Sequence, residues 1–115
     1  MAAEKNFENR LKKFLEDEGC WFVKFFANAY TKSGIPDILC CCHGNFLAVE
    51  VKAPNGKPSE LQKWNIKKII EQGGCGVILY PDQFDDFKEM VLSIVYGDFR
   101  DVNRIMKKIN ERWDK

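Results

Sequence analysis

Apolar positions recur with two different periods along this chain. Within residues 5–18, Phe7, Leu11, Phe14 and Leu15 fall three or four positions apart with charges between them, which predicts an amphipathic helix. Gly19 follows as a helix-ending residue. Residues 21–26 are aromatic and β-branched, a strand by composition, and residues 28–36 are polar and broken by Gly34 and Pro36, a loop. Two short runs, 37–42 and 46–52, flank His43-Gly44-Asn45 and predict a hairpin. After a second loop at 54–58, Ser59 with Gln62 three residues on predicts a capping box. That box opens a helix through Leu61, Trp64, Ile66, Ile69 and Ile70, which Gly73-Gly74 ends. Residues 76–80 have the continuous apolar character of a buried strand, and 83–112 predict one or two amphipathic helices broken near Gly97. The order α-β-β-β-α-β-α predicts a mixed α/β domain.

At 115 residues the chain suits one domain, 1–115, with a motif-bearing core at about 4–80 and C-terminal helices at about 83–112. A hydrophobic content of 45% excludes disorder over most of the length. No apolar run approaches the ~20 residues of a membrane span, and the N-terminus lacks a secretory h-region, so a cytoplasmic protein is expected. Eighteen basic against seventeen acidic residues leave a net charge of +1, so only the distribution of charge can speak for nucleic acid. Five cysteines, three of them adjacent (Cys40, Cys41, Cys42), do not form a disulfide framework and suggest a reducing compartment.

The hairpin carries the candidate chemistry. A two-residue His43-Gly44 turn puts Asp37 opposite Glu50; a Gly44-Asn45 turn puts Asp37 opposite Lys52, with Glu50 on the diagonal. Either register gathers Asp37, Glu50 and Lys52 on one face, because strand side chains alternate. Two carboxylates at a cross-strand spacing of roughly 4.5–5.5 Å repel when both are ionised. A divalent cation between them removes that repulsion, and Mg²⁺ prefers one or two carboxylates plus waters and phosphate oxygens. The neighbouring lysine can then stabilise developing charge or orient water, which together describe metal-assisted phosphodiester hydrolysis. The same spacing also fits an exposed strand face with a cross-strand acid–lysine pair, and spacing alone leaves both open.

At these residues the chain resembles the PD-(D/E)xK nucleases. Pro36-Asp37 and Glu50-Val51-Lys52 fit their signature, with thirteen positions from Asp37 to Glu50. More narrowly, it resembles virus-type replication-repair nuclease (VRR-NUC) domains of phages and bacteria, and the related Holliday junction resolvases. Glu8 on the first helix, Ser33-Gly34 before the Pro-Asp pair, the stretch from Lys52-Ala53-Pro54 to Gln62, and Gly73-Gly74 before Val77-Ile78-Leu79-Tyr80 carry that narrower likeness. It spans residues 8–80.

The resemblance implies a restriction-endonuclease-like α/β fold, a mixed central sheet flanked by helices, and a Mg²⁺- or Mn²⁺-dependent endonuclease acting on branched or flapped DNA in replication or repair. Asp37, Glu50, Lys52, Glu8 and Gln62 are then the expected catalytic set. Asp37, Glu50, the Val51 backbone carbonyl and Glu8 are the expected metal ligands, Glu8 directly or through water. Gln62 has two uses, supporting the site or completing the capping box. Related junction resolvases are homodimers, so a homodimer is expected. The alternative is a non-catalytic DNA-binding or assembly module that keeps the fold.

Between Glu50 and Lys68, five lysines face two glutamates; Lys57, Lys63 and Lys67 there are the expected DNA contacts. Residues 82–101 hold six acids against two bases and are expected to face away from DNA. Alternation turns Cys40 and Cys42 away from Asp37, and consecutive cysteines lack zinc-ligand spacing, so no structural zinc is expected. His43 at the turn is expected to be exposed. Most of Trp21, Phe22, Phe25, Phe26 and Tyr30 are expected in the core, with the remainder suited to a dimer interface.

Overall fold

A computed structural model of the chain describes residues 2–114. Helix α1 (Ala2–Asp17) buries Phe7, Leu11 and Leu15 along one stripe, and Gly19 turns the chain with φ +78°. Strands β1 (Trp21–Lys24), β2 (Ile38–Cys42) and β3 (Asn45–Val51) form an antiparallel meander. Helix α2 (Glu60–Glu71) then crosses over to β4 (Cys75–Leu79), which lies parallel to β3 in a sheet ordered β1-β2-β3-β4. A short 3₁₀ turn (Pro81–Gln83) leads into α3 (Phe84–Tyr96) and α4 (Phe99–Asn110), separated by Gly97 in the left-handed region. The C-terminal segment thus forms two helices, broken where glycine permits φ +76°.

Strand alternation builds two unequal layers. Ile38, Cys40 and Cys42, Leu47, Val49 and Val51, and Val77 and Leu79 face α1, α3 and α4 in the main core. On the opposite face α2 covers the sheet, through Ile66 against Ile78 and Tyr80, with Trp113 packed at its margin. Burial favours this arrangement because these β2, β3 and β4 residues lose nearly all their exposed apolar surface. None of the described helices is long and apolar enough to cross a membrane.

Two expectations change. The first strand ends at Lys24, not at residue 26. Phe25 N–H still donates to the Asp37 carbonyl (2.8 Å), but Pro36 offers no N–H to extend the ladder, and the chain departs. The aromatic block is not core either. Trp21, Phe26 and Tyr30 are exposed, and Phe22 and Phe25 are half-buried, because β1 is an edge strand that α2 does not reach. Cys40 and Cys42 pack in the main core, whereas Cys41 and His43 are exposed.

Candidate active site

The turn sets the geometry of the hairpin. His43 and Gly44 both have positive φ, 50° and 84°, the combination that a two-residue type I′ turn requires. Ile38 therefore pairs with Val49, and the next positions outward are Asp37 and Glu50. The first of the two registers is the one adopted. Asp37 lies just before β2, and its Oδ2 accepts the Val51 backbone N–H at 2.8 Å, which fixes the carboxylate across the strand ends.

Glu50 is only 4% exposed. Its Oε2 accepts from Gln62 Nε2 at 3.0 Å and lies 3.5 Å from Lys52 Nζ. Its Oε1 is buried without a hydrogen-bond partner among the described residues. Burial, followed by the charge of Asp37, pushes the Glu50 carboxyl up to about 8, against the opposing pull of Lys52. Gln62 makes the contacts of the capping box and the contact to Glu50 at once. Its Oε1 accepts from Ser59 N–H (2.9 Å) and its backbone N–H donates to Ser59 Oγ (3.1 Å), so the capping box aims the amide at Glu50.

Glu8 joins this group through a lysine. Lys24 Nζ lies 2.7 Å from Glu8 Oε1 and 3.5 Å from Asp37 Oδ1, and Lys12 lies 3.4 Å from Glu8 Oε2. Burial alone would raise the Glu8 carboxyl, but the hydrogen bond and charge of Lys24, and then Lys12, hold it below the usual range. Lys24 was not among the residues expected at the site. Its only sequence signal is its place on β1 across from Ile38, legible once the β1–β2 pairing is known.

Asp37, Glu50, Lys52 and Gln62 are thus brought together, with Glu8 one lysine away. Lys57 and Lys63 line a cleft beside the hairpin, and Lys67 pairs with Asp114 at 3.2 Å. Among the described residues no three His, Cys, Asp or Glu side chains converge on a metal position. The donors that the structure brings together are the carboxylates of Asp37 and Glu50. They fit a hard, water-carrying divalent cation: the unpartnered Glu50 oxygen and the mutual repulsion of Glu50 and Asp37 are what such a cation would relieve.

A mixed sheet between helices, with paired acids and a lysine at the open end of its hairpin, is the architecture of a restriction-endonuclease-like nuclease. The family model for archaeal Holliday junction resolvases matches residues 2–74, more than half of the chain, and the chain belongs to that family. It is a DNA nuclease. A solved structure described as a VRR_NUC domain is 24% identical and superposes with a TM-score of 0.61, covering 76% of this chain and 95% of that one; it shares the fold. No curated protein matches the chain.

Proposed function

We propose that this nuclease is a metal-dependent endonuclease selective for branched DNA, four-way junctions or flaps, as in phage or bacterial replication and repair. One observation carries the reading: a buried glutamate, Glu50, keeps an unpartnered oxygen beside a second acid, with a lysine 3.5 Å from its other oxygen. Lys52 offsets only part of that cost, and a purely structural core position gains nothing from a buried carboxylate oxygen left unpartnered beside a second acid.

In this reading Asp37, Glu50 and the Val51 carbonyl hold Mg²⁺ or Mn²⁺. Bound there, such a cation would supply Lewis acidity toward the scissile phosphate and toward an attacking water. Asp37 is oriented by the Val51 N–H and Glu50 by the Gln62 amide, so neither carboxylate has to reorganise during the reaction. Lys52 holds the attacking water or stabilises charge on the phosphate through its ammonium. Glu8 contributes at one remove, through a bound water, since both of its oxygens already face lysines.

A junction presents two strands for cutting, whereas one chain carries one such site. A homodimer supplies the second, and the uncovered face of β1–β3, with Trp21, Val23 and Phe46 exposed, suits a second copy. Light scattering after gel filtration checks this: a monomer mass at micromolar concentration contradicts it. For the chemistry, labelled four-way junction, flap, single strand and plasmid are incubated with Mg²⁺, Mn²⁺, Ca²⁺ or EDTA, with Lys52→Ala alongside. Metal-dependent cutting that is lost in Lys52→Ala supports the proposal. Binding without cutting in every condition favours the non-catalytic module.

A further inference from the structure

The family match ends at residue 74, yet the far end of the described chain folds back beside the hairpin. A cleft of about 560 Å³ is lined by Gly56, Lys57, Lys63, Tyr80, Arg112 and Trp113. It adjoins the active site, because a Cβ placed on Gly56 would lie 3.5 Å from Lys52 Cδ. The Tyr80 hydroxyl donates to the Gly56 carbonyl at 2.7 Å, tying the loop after β3 to the end of β4. The Arg112 guanidinium lies 3.9 Å above the Tyr80 ring and pairs with Asp82. Trp113 Nε1 donates to Asn110 Oδ1 at 3.0 Å, and its ring packs against the cluster of Ile66, Ile78 and Tyr80, which anchors the segment that carries Arg112.

We propose that this cleft binds the phosphodiester backbone of the DNA strand next to the scissile position, with Arg112 as a phosphate contact beside Lys57 and Lys63. The proposal rests on the nuclease reading above and adds a grip from outside the matched family core. The chemistry of the walls selects the ligand. Three cations gather there, and Lys57 has no ion-pair partner among the described residues. Guanidinium offers a planar fork that matches phosphate oxygens, and stacking on Tyr80 fixes its plane before DNA arrives. The Asp82 carboxylate occupies the place that a phosphate oxygen takes over on binding. Asp82, the first acid of the run expected to face away from DNA, is on this account the group that DNA displaces from Arg112.

The test is fluorescence anisotropy of a labelled four-way junction with the full chain in EDTA, across a salt series. Arg112→Ala is expected to weaken binding about tenfold and to lower the slope of log affinity against log salt by about 0.9, one phosphate contact. Asp82→Asn is expected to tighten binding several-fold, while Lys13→Ala on α1 leaves it unchanged. Parental affinity and slope in Arg112→Ala overturn the proposal. Weaker binding by Asp82→Asn also overturns it, since the pair would then only anchor the chain; this variant decides the matter if circular dichroism finds Arg112→Ala unfolded. A parent chain that binds no DNA overturns the nuclease reading itself, whereas a binding parent indifferent to Arg112 overturns the cleft alone.

Discussion

Replacing Glu50 with glutamine should make the protein more stable as it makes it inactive. The Glu50 carboxyl ionises near 4.5 in an unfolded chain but holds its proton to about 8 in the fold, because burial and Asp37 disfavour the charge. A raised carboxyl pKa contributes stability that is fully present below 4.5 and is lost as pH rises toward 8. At pH 7 the loss is the gap between 4.5 and 7 at about 1.4 kcal/mol per unit, or about 3 kcal/mol. Glutamine has nearly the same shape, is neutral in both states, and can still accept from Gln62. It leaves Lys52 without an acid partner, which offsets part of the gain. Thermal denaturation followed by circular dichroism in EDTA should therefore place Glu50→Gln above the parent by roughly 5–10 °C near pH 7. The difference should shrink to nothing by about pH 4. A difference that is independent of pH, or a variant less stable than the parent at pH 7, would refute the reasoning.

Other substitutions probe the supports of the site. Gly34 has φ +78°, and a Cβ there would lie 2.8 Å from the Leu61 carbonyl carbon and 2.9 Å from Asn65 Nδ2. Gly34→Ala should accordingly cost ~2 kcal/mol or more in urea titrations, with unchanged stability as the contrary result. Ser59→Ala removes the cap that aims Gln62 at Glu50 and should cost about 1 kcal/mol. It should also lower kcat more than a surface change of equal stability, which single-turnover kinetics on the parent's substrate would detect. Lys24→Gln removes a cation lying 3.5 Å from Asp37, so Mn²⁺ should bind several-fold tighter by calorimetry. Weaker or equal Mn²⁺ binding would contradict the positions assigned to Lys24 and Asp37.

Much of this was legible in the sequence because it depends on local rules. The stripe of Phe7, Leu11 and Leu15, the Ser59–Gln62 capping box and the hairpin between residues 37 and 52 each follow from spacing within a few residues. The register, left open between two turns, was settled by His43 adopting positive φ, which places Asp37 at the position across from Glu50. What spacing could not reveal depends on which elements pack together. Lys24 reaches Glu8 only because α1 lies against β1, sixteen positions away in sequence. The aromatic block from Trp21 to Tyr30 looked apolar enough for a core, but β1 is an edge strand and one of its faces has no helix over it. Arg112 comes to the hairpin from thirty-two positions beyond Tyr80, through a stacking contact that no periodicity signals.

If Asp37 and Glu50 hold the divalent cation with which this nuclease cuts branched DNA, Asp37→Asn abolishes cutting and leaves DNA binding intact. The most direct measurement compares the parent and Asp37→Asn on a labelled four-way junction and on linear duplex of the same sequence, with Mg²⁺ and with EDTA. Junction-selective cutting by the parent with Mg²⁺ and not with EDTA is expected, and none by Asp37→Asn despite parental binding. Cutting that persists in EDTA, or in the folded Asp37→Asn chain, would contradict that assignment.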